Sequence, residues 1–128
     1  MTMTSRTSNY NEIVSFLQSL QGEYKDLKIN ESEIMYHLDE MDSGNGIRIL
    51  NSLSSKSMGV FLFNSNGFKL LLDNEGLSTL YQISNEDAIN LLQRYYVCRF
   101  LAKVPKYYDD VIIAYNQELN ALVNKIAA

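Results

Sequence analysis

The sequence predicts an α+β domain in which helices from both ends of the chain cover an antiparallel sheet. Three observations carry that prediction. The stretch from Met58 to Asp73 is mostly apolar and is broken only by a short polar knot ending in Asn66-Gly67, a strong hairpin signal. Residues 77–83 alternate like a third strand. Apolar residues recur at helical spacing near the N-terminus and again beyond residue 84.

The first eight residues, MTMTSRTS, hold one Arg and no apolar run. They do not read as a secretory leader and are expected to form a disordered polar tail, leaving residues 9–128 as a single domain. Asn9 followed by Glu12 has the spacing of an N-cap and its reciprocal acid. Tyr10, Ile13, Val14, Leu17 and Leu20 then share one helical face, and Gly22 supplies a left-handed stop.

Residues 25–53 are ambiguous. Asn30 with Glu33 repeats the cap spacing, and Ile34, Met35, Leu38 and Met41 fit a short acidic helix. Ile34, Tyr36 and Leu38 also alternate as one strand face would. Asp42-Ser43-Gly44-Asn45-Gly46 is turn chemistry in either case. The β-branched residues in Ile47-Arg48-Ile49 lean toward a strand.

A two-residue loop at Asn66-Gly67 would set the hairpin register. Phe61 would then face Leu72, Phe63 would face Leu70, and Ser65 would face Phe68. One face would carry Phe61, Phe63, Phe68, Leu70 and Leu72. The other would carry Val60, Leu62 and Leu71 among Asn64, Lys69 and Asp73. Asp73-Asn74-Glu75-Gly76 makes the next turn, into a strand over 77–83.

Ser84 with Asp87 caps a helix whose apolar stripe includes Ala88, Leu91, Leu92, Tyr95, Cys98, Leu101 and Ala102. Pro105 ends it and presets the next start. In the last helix Tyr108, Ile112, Tyr115, Leu119, Leu122 and Ile126 form a narrow heptad-like seam. That seam can pack on the sheet or pair with a second copy of the chain.

Composition narrows the function classes. At 128 residues with 46% hydrophobic and 20% charged residues, the chain is an ordinary globular domain. Its net charge of −4 argues against nucleic acid as a partner. One Cys permits no internal disulfide, and no run reaches membrane-spanning length, so a cytoplasmic setting without membrane contact is expected. Nine Tyr, five Phe and no Trp suggest phenols that sit half exposed. Charge is segregated. Glu31, Glu33, Asp39, Glu40 and Asp42 form an acidic segment, whereas Arg94, Arg99, Lys103 and Lys106 form a basic one. These faces can neutralise each other or meet a partner.

Catalytic constellations are scarce. A nucleophilic pair would have to unite His37 with Cys98, and Cys98 lies on the apolar stripe of its helix. The loop from Asp39 to Gly46 offers oxygen ligands but fails the EF-hand spacing. The adjacent pairs Glu86/Asp87 and Asp109/Asp110 sit in first helical turns, where they complement the helix dipole. No enzyme, metal or cofactor is expected. The reading that remains is a protein-binding module of chaperone, inhibitor or adaptor type. It would act through a Tyr/Arg-rich helical corner (Tyr95, Tyr96, Arg99, Lys103, Tyr107, Tyr108) and the acidic segment. The alternative is a winged-helix-like DNA binder over residues 9–73, with a strand at 27–29 and helices at 31–41 and 44–55.

Overall fold

In a computed structural model, residues 2–50, 58–64, 67–74 and 76–127 are described. The elements run α1 (Thr2–Ser19), α2 (Glu31–Asp42), β1 (Ile47–Arg48), β2 (Met58–Asn64), β3 (Phe68–Asn74), β4 (Leu77–Gln82), α3 (Asn85–Leu101) and α4 (Pro105–Ala127). The class is α+β. A four-stranded antiparallel sheet, in spatial order β1-β2-β3-β4, carries the helices on one face.

The α1 helix begins at Thr2 and not at Asn9. Asn9 lies one turn before Ile13 and two before Leu17 on the packed face, and it is buried with them. A capping residue needs non-helical backbone, and Asn9 is helical. At the other end, Glu23 and Tyr24 N–H groups both bond to the Leu20 carbonyl. Gly22 is not among the glycines with positive φ.

The acidic segment is helical. The Asn30 side chain accepts from the Glu33 N–H at 3.1 Å, and Ile34, Leu38 and Met41 are buried. The helix packs against β1 and β2. Ile47 and Arg48 pair with Leu62 and Phe61, so the strand reading of this segment holds. Two requirements of the winged-helix order are missing: Leu27–Ile29 forms no strand, and Ile47–Arg48 is sheet rather than helix. Residues 51–57 lie outside the described part of that segment.

The hairpin register differs from the expected one by one residue. Asn64 pairs with Phe68, Leu62 with Leu70, and Phe61 with Leu71. Three residues therefore span the turn, with Gly67 at φ 107°. Ser65 and Asn66 lie outside the described residues. A three-residue loop with a positive-φ glycine is the next most common hairpin connection. The extra residue reverses the assignment of β2, because side chains alternate with a period of two. Val60 and Leu62 point into the core beside Phe68, Leu70 and Leu72, whereas Phe61 and Phe63 lie on the opposite face. The single-face set expected from the sequence is therefore right for β3 and inverted for β2.

Both displaced phenylalanines find cover without a helix. A Cβ on Gly46 would come within 2.3 Å of the Phe63 ring, and one on Gly59 within 2.9 Å of the Phe61 ring. Each ring thus lies close against a glycine. The Arg48 guanidinium stands 5.7 Å from the Phe61 centroid on the same face.

The α3 helix buries a broad apolar surface, as a central helix must. Ile89, Tyr96 and Val97 are buried in addition to the stripe read from sequence, and the C-cap Ala102 is exposed. It packs between α1 and α4. The buried seam of α4 is Tyr107, Val111, Tyr115, Leu119 and Leu122, rotated from the expected one. Tyr108 is exposed and Ile112 only half-buried. The seam faces α3.

Candidate functional site

The expected corner divides once folded. Tyr95, Tyr96 and Tyr107 are buried, whereas Arg99, Lys103 and Tyr108 are exposed. The Tyr95 and Tyr96 rings meet edge to face at 5.1 Å between centroids, and Phe100 stacks on Tyr96 at 5.5 Å. Tyr107 meets Tyr24 edge-on at 5.2 Å, and the Lys106 ammonium stands 5.2 Å from the Tyr107 centroid. Five tyrosines are buried in total: Tyr24, Tyr95, Tyr96, Tyr107 and Tyr115. The surplus of phenols is spent largely on the core, with Tyr36 and Tyr108 left exposed.

A polar cluster joins α2 to α3. Arg99 donates to Glu33 at 2.6 Å and to the Tyr95 hydroxyl at 3.2 Å. The Arg99 hydrogen bond holds the Glu33 carboxyl below its ordinary range, and burial only partly opposes it. One turn along α2, the His37 Nδ1 and the Tyr96 hydroxyl share a 2.8 Å hydrogen bond, with the rings stacked. Burial, then the Arg99 charge, pushes the His37 pKa down. Burial raises the Tyr96 pKa, so its hydroxyl stays protonated. The acidic and basic segments thus neutralise each other at this point.

The remaining candidates are also occupied structurally. Cys98 donates to the Val111 carbonyl at 3.1 Å, and burial pushes its thiol up to about 12. A thiol held in its protonated form is a poor nucleophile, and the partner of His37 is Tyr96, not Cys98. In the acidic loop, Glu40 accepts from the Asn45 side chain at 2.9 Å and Asp42 from that of Asn64 at 2.7 Å. These bonds tie the end of α2 to its loop and to β2. Among the described residues, no three His, Cys, Asp or Glu side chains converge as metal ligands would. Among the described residues, no helix is long and apolar enough to cross a membrane.

Sequence reasoning missed the β4 side of the sheet. Leu77 is 76% exposed and Leu80 53% exposed. Leu80 continues an outward-facing row that runs Arg48, Phe61, Leu71, Leu80 across the four strands. Arg48 and the glycines cover the β1 end of that row, but the β4 end is bare. β4 is also the edge of the sheet, with β3 as its neighbour. The signal was present in Leu-Ser-Thr-Leu-Tyr-Gln. It carries no charge, no proline and apolar residues on both faces, so it lacks the usual devices that blunt an edge. Compared with protein-family models, curated proteins and solved structures, the chain matches none.

Proposed function

We propose that this chain is a non-enzymatic protein-binding module whose contact surface is the outer face and free edge of the sheet at β4. One observation carries the reading: Leu77 and Leu80 stand exposed on a strand whose outer backbone groups have no protein partner among the described residues. Large exposed apolar side chains beside an open edge mark association surfaces. The helical corner is a weaker candidate, because three of its four tyrosines are in the core.

Affinity capture with the intact chain, run beside Leu80→Lys and Arg99→Ala, tests the reading. A protein held by the wild type and by Arg99→Ala, but lost with Leu80→Lys, is the expected result. A bound set indifferent to Leu80→Lys overturns it.

A further inference from the structure

We infer that β4 pairs antiparallel with β4 of a second copy of this chain, about a two-fold axis at Leu80, to make one sheet continuous across both copies. The inference rests on the sheet edge being the contact surface and names what occupies it.

Ladder geometry gives the first argument. The Ile83 N–H bonds to the Phe68 carbonyl at 3.0 Å. Hydrogen-bonded pairs in an antiparallel ladder alternate with non-bonded ones. Tyr81, Thr79 and Leu77 therefore turn their backbone groups toward Leu70, Leu72 and Asn74 of β3. Ser78, Leu80 and Gln82 turn theirs to the open edge. An occupant must supply extended backbone in the matching phase, which a ring or a helix face cannot do.

Self-complementarity gives the second. With Leu80 opposite its own copy, Ser78 meets Gln82 of the partner subunit, so all three outward residues find hydrogen-bonded pairs and about six backbone bonds form. The side-chain pairs also match. Two leucines meet at the centre, flanked by hydroxyl–amide pairs. On the helix side, Thr79 meets the partner's Tyr81 and Leu77 meets the partner's Ile83. No charge lies on β4 to repel an identical strand, whereas like charges directly opposed would destabilise the pairing.

Continuity gives the third. A two-fold axis normal to the sheet keeps both outer faces on one side. The row Arg48, Phe61, Leu71, Leu80 then runs on through its symmetry mate, and the bare end of each row covers the other. Closed two-fold pairing uses up both β4 edges and propagates no further.

Sedimentation velocity of the full chain tests the inference. The wild type is expected to sediment with twice the monomer mass at micromolar concentration. Leu80→Lys should weaken the dimer by roughly tenfold or more, since edge lysines are a natural barrier to strand pairing. A native far-ultraviolet circular dichroism spectrum and a cooperative melt would show that this variant is folded. Leu80→Cys gives an independent readout. Opposed Cα atoms about 5.5 Å apart fit a disulfide, so mild oxidation should yield a covalent dimer. Ser78→Cys should not, because its copies lie roughly 13 Å apart along the strand.

A wild type that stays monomeric at about a hundredfold higher concentration overturns the inference. So does a dimer that survives Leu80→Lys but is lost with Ile113→Asp, Ile113 being an exposed hydrophobic residue of α4, or equal cross-linking of the two Cys variants. A monomer that captures a different protein through Leu80 overturns self-pairing and leaves the protein-binding reading standing.

Discussion

Phe63 lies opposite Gly46 with its ring so close that a Cβ at Gly46 would sit 2.3 Å from Cε1. Gly46 also has φ 71°. Backbone and packing both require glycine there, and an aromatic ring over a cross-strand glycine is one way to cover it. Gly46→Ala should therefore destabilise the fold by about 2–4 kcal/mol, combining left-handed backbone strain with overpacking. Chemical denaturation measures it. Phe63→Leu on the Gly46→Ala background should recover part of the loss, whereas strictly additive effects would show that the two residues do not interact.

The hairpin register has a direct mutational test. Leu62 is fully buried and Phe61 lies half-covered on the outer face. Leu62→Ala should cost about 2–5 kcal/mol as a core cavity. Phe61→Ala should cost clearly less despite removing more atoms. The two-residue loop would reverse that order.

Tyr107 and Arg99, both expected to be contact residues, should separate in thermal melts. Tyr107 is buried against Tyr24, so Tyr107→Ala should cost about 3 kcal/mol or more as an aromatic truncation. The Arg99–Glu33 pair is partly solvent-exposed, with side-chain accessibilities of 43% and 23%. Screening limits such pairs to about 1 kcal/mol, so Arg99→Ala should cost no more than that.

Acid should weaken the fold in two stages. The folded state holds His37 below its ordinary value of 6.5, chiefly by burial and next by Arg99, against weaker opposite pulls from Glu33 and Glu40. The unfolded chain therefore takes up that proton first, and the stability associated with neutral His37 is complete above 6.5 and lost as pH falls below it. Glu33 is held below 4.5, chiefly by the Arg99 hydrogen bond, so its contribution is present above that value and is lost at more acid pH. Urea midpoints measured from pH 7.5 to pH 4 should hold level down to about 6.5 and fall below it. His37→Gln should flatten the upper part of the curve and leave the lower part. An unchanged upper slope would show that another group titrates there.

The Cys98 thiol should resist aromatic disulfide reagents in the native protein and react within the mixing time in denaturant. Its burial and raised pKa both predict this. Rapid native labelling would mean that the α3–α4 contact opens readily.

Local chemistry by itself specified most element types. Asn30 with Glu33 and Ser84 with Asp87 mark helix starts because the cap is formed by residues three apart, and both caps form as written. The core face of β3 followed from simple alternation, since Phe68, Leu70 and Leu72 are apolar and Lys69 and Asp73 are not. The neutralised acidic and basic segments were visible as opposite charges, but Glu33 and Arg99 are 66 residues apart and their meeting is a product of the fold.

The tertiary structure decided what alternation left open. In β2 both faces are apolar, Val60 and Leu62 on one and Phe61 and Phe63 on the other. No periodicity can choose between them, and one more residue in the turn exchanges the two. The choice fell to shape: the aliphatic pair fits beneath α2, while the larger rings lie over Gly46 and Gly59 on the far side. The same limit hid the edge at β4. Leu77 and Leu80 read as ordinary strand hydrophobes until the order of the strands placed them at an edge of the sheet.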